Sequence, residues 1–325
     1  MGEANTIERK FDVTGQAQIS LANISGSVDI QPGDDDVILV TAQKDVSHGD
    51  AENTRIEMEQ EANGAVMVKT DFGNSFWRWN GQPCDVHYTV RVPRACNVQL
   101  KCISSSGMVK GVSGAFDLSA VSGDLTLAEL SGDVKANVVS GRLNAEKLQG
   151  SAHVETVSGK VTLGASNLSS LHLSTVSGGV TVESPLAEGS YKFHSVSGDV
   201  KLMVPADTKC TVECTSLSGR LMANLPVTYN KKSGQHWHMQ LQGGGTEVVF
   251  DSISGSLHIG SAESAAPTTV VKDIGMPATP PTPPAPPTPP AGTSVEIAEQ
   301  TRKDILERVE RGELSVTDAV EMLRG

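Results

Sequence analysis

Aromatic residues make up only 4% of this chain, which rules out a thick globular interior built on large rings. With so few of them and 32 glycines, the core has to be thin and made of Val, Leu and Ala. A basic surplus is also missing. The 26 Lys and Arg are outnumbered by 38 Asp and Glu, a formal net charge of -12. That balance disfavours a general affinity for nucleic acid or anionic membranes. No apolar run approaches the ~20 residues of a transmembrane helix. The opening Met1 to Lys10 has no apolar signal core, so the chain is expected in the cytoplasm, with association at a cell surface left open. Cys84, Cys96, Cys102, Cys210 and Cys214 lack metal-site pairing, and their odd count argues against a complete disulfide framework. They read as reduced thiols, with Cys102 and Cys214 facing the core.

One short phrase is abundant. Val121-Ser122-Gly123-Asp124-Leu125 recurs from Val139 and from Val157 at steps of 18 residues, then from Val176, Val196 and Leu217 at steps of 19, 20 and 21. Such a period marks a solenoid, in which each repeat stacks on its neighbours. Weaker copies lie between the strong ones: Leu130-Ser131-Gly132, Leu148-Gln149-Gly150 and Leu168-Ser169-Ser170. Before each strong copy stands a pair of apolar residues two apart: Phe116 and Leu118, Val134 and Ala136, Ala152 and Val154, Leu171 and Leu173, Tyr191 and Phe193, Val212 and Cys214. Matching pairs follow the Gly, beginning with Leu125 and Leu127. This spacing sets both members of a pair on one face of a strand. The expectation is an all-β, parallel β-solenoid with two main strands per coil of about 18–21 residues, coils spaced about 4.8 Å apart. Val121, Val139, Val157, Val176, Val196 and Leu217 are expected to stack in successive coils as part of the core. The Gly is expected to supply positive φ at the corner, and Ser122, Ser140, Ser158, Ser177, Ser197 and Ser218 to form a hydroxyl ladder.

The rest of the chain reads as follows. Ile19, Leu21, Ile24, Ser25, Gly26, Val28 and Ile30 are a degraded copy of the phrase. Ile56 to Glu61 and Ala65 to Thr70 flank Asn63-Gly64, a hairpin signal. Phe72, Phe76, Trp77 and Trp79 fall in a stretch expected to cap the solenoid edge, with a contact surface for a partner or glycan as the alternative. After Leu221 comes an insertion from Pro226 to Gly245, then Val248, Phe250, Ile253 and Leu257 as the closing coil. The expected domains are a β-solenoid over 7–260 (capping strands 7–105, repeat coils 106–260), a Pro-rich linker over 261–293 and a small α-helical C-terminal hairpin over 294–325. Nine of the seventeen residues from 276 to 292 are Pro, an extended and stiff composition. In the tail, Ser294 and Ser315 are N-caps, and Ile305, Leu306, Val309, Leu314, Val316, Val320 and Leu323 are an apolar set too large to leave wet in so small a unit.

No catalytic residue, cofactor site or metal site is assigned. The Ser of the phrase has no base recurring with it. Asp34 to Asp36 lack the alternating oxygen ligands of a calcium loop and read as a turn. His236 and His238 share a strand face but have no evident third ligand. The position after each strong Gly runs Asp124, Arg142, Lys160, Gly179, Asp199, Arg220, a mixed edge in place of an acid cluster.

The segment Ser25-Gly26-Ser27-Val28-Asp29-Ile30-Gln31-Pro32-Gly33, the strand Tyr88-Thr89-Val90-Arg91-Val92-Pro93, the Val-Ser-Gly ladder and Gly243-Gly244-Gly245-Thr246 before Ile253-Ser254-Gly255 occur in that order. On these the solenoid resembles the bacterial putative-adhesin β-solenoid family. The tail from Arg302 to Leu323 looks like the short helical hairpin attached to some members. The resemblance implies a β-solenoid fold and a surface or interaction role, with no catalytic residues to carry over. The leading reading is a non-catalytic scaffold or interaction protein, adhesin-like, whose helical tail self-associates or recruits a protein partner; a glycan or envelope ligand is left open. Alternative readings are a cell-envelope stress or regulatory protein and a polysaccharide-active β-helix enzyme.

Overall fold

The computed structural model describes residues 5–261, apart from 46, 48 and 73–81. The Pro-rich stretch beyond Ser261, the tail expected to form a helical hairpin and the aromatic stretch beyond Phe72 lie outside the described residues. Those described are all β, in 23 strands with no helix among them.

At the N-terminal end stand β1 (Asn5–Asp12), β2 (Ala17–Pro32), β3 (Val37–Asp45), β4 (Thr54–Gln60), β5 (Val66–Phe72) and β6 (Asp85–Val92). The first full coil is β2, whose two halves belong to opposite sheets. Its first half pairs in parallel with β5 and its second half with β6. On the other side both halves pair with β7 (Cys96–Lys110), so the expected division at residue 105 falls inside a strand. The hairpin signal at Asn63-Gly64 is the β4–β5 turn. Charged side chains on β4 and β1 protect the sheet edges from further pairing. The Arg9 guanidinium donates to the Met58 carbonyl, and Gln60 Nε2 donates to the Asp12 carbonyl at 2.9 Å, so the two edges are tied to each other.

The regular coils follow as β8 (Ser113–Ala120) with β9 (Leu125–Ala128), β10 (Ser131–Val138) with β11 (Arg142–Glu146), β12 (Gln149–Thr156) with β13 (Lys160–Gly164), β14 (Asn167–Thr175) with β15 (Val180–Glu183), and β16 (Ser190–Ser195) with β17 (Val200–Val204). Each pairs in parallel with the next in register, with one shift between Gly150 and Ser151 where β12 meets β14. The inward ladders are the expected pairs: Leu118, Ala136, Val154, Leu173 and Phe193 on one sheet, Leu125, Leu143, Val161, Val180 and Val200 on the other, all fully buried. A continuous apolar column is the only way such thin repeats bury enough surface.

The closing coil is not where the sequence order suggests. After β18 (Cys210–Ser216) and β19 (Leu221–Ala223), the chain makes a hairpin of β20 (Val227–Ser233) and β21 (His236–Leu241) that pairs antiparallel with β18. It then returns as β22 (Thr246–Ser252) and β23 (Leu257–Ser261), which insert between β16 and β18 and between β17 and β19. The last coil in sequence is thus the last but one in space. Val248 and Phe250 thereby continue the columns of Tyr191 and Phe193, while the Lys-bearing hairpin covers the outer edge. The 21-residue step from Val196 to Leu217 spans an intervening coil: Ser254 N donates to Val196 O and Ser218 N to Ile253 O, both at 2.9 Å.

Two further expectations need correction. The valine ladder is stacked, but it is not uniformly core. Val157, Val176 and Val196 are buried, Val139 is half-buried, and Val121 and Leu217 are 41% and 63% exposed. The buried three follow Thr156, Thr175 and Ser195, whereas Val121 and Val139 follow Ala120 and Val138. Gly159 N donates to Thr156 Oγ1 at 3.1 Å and Gly198 N to Ser195 Oγ at 2.9 Å. The Thr156 and Ser195 hydroxyls, one residue before the valine, thus close two of these corners, whereas Thr175 Oγ1 is buried without a hydrogen-bond partner; the Ser of the phrase instead bonds the coil beneath, as Ser197 Oγ does to Val176 O at 3.3 Å. Leu217 is on the terminal coil and has a neighbour on one side only. The glycine is also present for a different reason. At Gly141 the backbone is not left-handed, but a Cβ there would lie 2.2 Å from the Gly123 carbonyl oxygen. Close approach of successive coils, not positive φ, excludes a side chain.

Positive φ is needed at the other corner. Gly111 takes φ 69°, and the equivalent positions in the next coils are Glu129 (57°), Lys147 (55°) and Ala165 (47°). A left-handed L-residue costs roughly 1–2 kcal/mol. Glu129 and Lys147 form an ion pair at 3.2 Å, but Ala165 has no such contact. Ala165→Gly is therefore expected to stabilise the protein by about 0.5–1 kcal/mol, net of the greater freedom of glycine in the unfolded chain. A lower urea midpoint for the variant would contradict this account.

Candidate functional site

Outward-facing residues of the regular coils are in register just as the inward ones are. Four positions before each strong valine, between the two members of each inward pair, stand Asp117, Lys135, His153, His172 and Lys192. Strand pairing makes them neighbours in that order across β8, β10, β12, β14 and β16. The row continues to Val249 and Glu213, so two lysines and two histidines are bracketed by acids. Two residues earlier on the same strands are Ala115, Asp133, Ser151, Ser170 and Ser190. Together the two rows line an open groove of about 740 Å³, with Gln18, Asn97 and Gln99 at its far end.

The rings follow the strand spacing. His153 and His172 stack with centroids 4.8 Å apart and planes 5° from parallel, and His194 lies tilted against His172 at 5.2 Å. His153 Nε2 is 3.1 Å from Glu155 Oε1, and His194 Nδ1 is 3.4 Å from Asp251 Oδ2. Partial burial lowers the pKa of His172, and positive charge on His153, His194 and Lys192 lowers it further; Glu155 acts in the opposite direction. His172 is therefore mostly neutral at neutral pH and gains charge only in acid. Asn137 Oδ1 and Ser174 Oγ on the same sheet are buried with no hydrogen-bond partner.

The other candidates are dispersed. Asp124 Oδ1 accepts from Arg142 N at 2.9 Å and Asp199 Oδ1 from Ser256 N at 2.9 Å, so both carboxylates cap the next coil. Asp34 to Asp36 are an exposed turn. His236 Nδ1 lies 3.0 Å from Thr215 Oγ1 and His238 Nδ1 lies 3.6 Å from Glu213 Oε1, and no group of three or more metal-ligating side chains occurs among the described residues. All five cysteines are buried and unbonded to one another. Burial pushes the Cys96 and Cys214 thiols up to about 12, which makes them inert as nucleophiles at neutral pH. No helix among the described residues is long and apolar enough to cross a membrane.

Sequence reasoning missed the cationic row. Its signal is a fixed offset of four residues before each strong valine, which strand register turns into a row.

Several solved structures match the chain along most of their length. A "putative cell adhesion protein" from Clostridium sporogenes is 10% identical over 80% of this chain and 100% of its own, with a TM-score of 0.28. A "putative adhesin" from Bacteroides fragilis is 8% identical over 78% and 97%, with a TM-score of 0.43. A "putative lipid binding protein" from Parabacteroides distasonis is 12% identical over 81% and 98%, with a TM-score of 0.41. No curated protein matches the chain. The family model described as Toastrack DUF4097 matches residues 17–261, from the first full coil to the end of the inserted one, and the chain belongs to that family.

Proposed function

We propose that this protein is a non-catalytic, adhesin-like binding scaffold. Its solenoid presents the open groove on one sheet as a ligand surface, and its C-terminal tail self-associates or recruits a protein partner. The observation that carries the reading is the fixed register of the outward rows: one rigid face repeats polar groups at the strand spacing over many coils, which suits an extended ligand. The acids at the coil corners support it, because Asp124 and Asp199 are engaged by backbone N–H groups. The tail role rests on the sequence alone, on an apolar set that a short hairpin cannot cover by itself.

Mass in solution tests the tail. The full chain is expected to form a higher-order species, and a version ending at Gly275 to be monomeric. If both are monomers, and the tail captures no partner from its native extract, the recruiting role is wrong.

A further inference from the structure

We propose that the groove across β8, β10, β12, β14 and β16 binds a linear acidic oligosaccharide, its carboxylates lying along Lys135, His153, His172 and Lys192. This rests on the scaffold reading and assigns its ligand class. The row concentrates cationic and protonatable side chains at one register of a chain whose net charge is -12. Within this row Asp117 at one end and Glu213 beyond Val249 at the other confine the attraction to the middle coils, where Asp133 stands two residues before Lys135 and Glu155 pairs with His153. Alongside, within the same groove, runs a second row that starts at the Asp133 carboxylate, which accepts from Ser151 Oγ at 2.5 Å, and continues with the hydroxyls of Ser170 and Ser190. A ligand carrying both anionic groups and hydroxyls along one axis matches two such parallel rows.

Other polyanions fit less well. Single-stranded nucleic acid needs aromatic platforms for its bases, and the groove's only aromatic besides the imidazoles is Phe116, which is buried. A membrane surface is broad and flat, whereas this stripe is narrow, concave and fenced by acids.

The histidines make the interaction pH-dependent. The charged and titratable groups around His172 are His153 and Glu155 from β12, and Lys192 and His194 from β16. Burial, and after it like charge, opposes its protonation in the free protein. A bound carboxylate offsets that repulsion, raises the pKa of His172 and takes up a proton, so by linkage affinity rises as pH falls.

The experiment is calorimetric titration of the full chain with oligogalacturonate at about pH 5.5 and about pH 7.5, on either side of the ordinary histidine range. Binding is expected to be about tenfold tighter in acid. The K135Q/K192Q variant should bind about tenfold more weakly, since two exposed charge pairs are lost. K160Q/K201Q, altered on the opposite sheet, should match the unmodified chain. Absence of binding at the lower pH, or unchanged binding by K135Q/K192Q, overturns the proposal. So does tighter binding of single-stranded DNA or of anionic phospholipid vesicles through the same two lysines. Release of shortened oligomers would instead overturn the non-catalytic reading and leave the binding assignment standing. Failure to bind leaves the scaffold reading to its own test through the tail.

Discussion

Gly141→Ala is expected to destabilise the protein by on the order of 3–5 kcal/mol, for the loss of one hydrogen atom and the gain of one methyl group. The added Cβ would sit 2.2 Å from the carbonyl oxygen of Gly123. Both atoms belong to backbone held in place by the coils on either side. Ser140 N donates to Val121 O at 2.8 Å and Ser158 N to Val139 O at 2.9 Å, so the corner cannot retreat without breaking the ladder. Gly179 provides the control. It stands in the corner of a later coil, yet a Cβ there would meet nothing within 4 Å. Gly179→Ala is expected to change stability by less than about 1 kcal/mol. Urea unfolding of the two variants separates close approach from the general cost of replacing a glycine. Equal losses would refute the close-approach account.

The second large effect is expected at the valines. Val176→Asp is expected to cost more than about 4 kcal/mol, because it sets an unpaired carboxylate at a fully buried position. Val121→Asp makes the same change in the same phrase, but Val121 is 41% exposed, and the cost is expected to stay below about 1 kcal/mol. Thermal or urea unfolding would show the contrast directly. If both variants unfolded alike, the valine ladder would be uniform core after all.

Much of the fold was legible because stacking enforces a strict relation between positions. Val154 must find Ala136 on one side and Leu173 on the other, and a recurring step of 18 to 21 residues with inward residues two apart announces that. The coil order near the C-terminus was not legible. Nothing local to Thr246–Ser252 tells it to pair with Ser190–Ser195; the choice depends on which edge the β20–β21 hairpin covers. The exposure of Val121 was hidden for a similar reason. The corner closes on the side chain before the valine, and a hydroxyl at Thr156 and an alanine at Ala120 give different turns within one phrase. The candidate site was harder to read than the core. Apolar burial demands a period, whereas a polar outward row is free to vary, so Lys135, His153, His172 and Lys192 become a feature only once register makes them neighbours.

The inserted coil bears on how the protein is made. Through most of the solenoid a coil meets its predecessor about one period back, as Arg142 meets Asp124 at a separation of 18 residues. A nascent chain can lay such coils down in order of synthesis. Ser256 meets Asp199 at a separation of 57. The slot between β16 and β18 stays open until residues 246–261 have left the ribosome, and closing it carries the entropy of a long loop. Until then the growing chain presents the unpaired edges of β16 and β18 together. The final sixteen residues of the solenoid are thus its keystone, and translation that stalls just before them leaves the molecule at its most adhesive toward other copies.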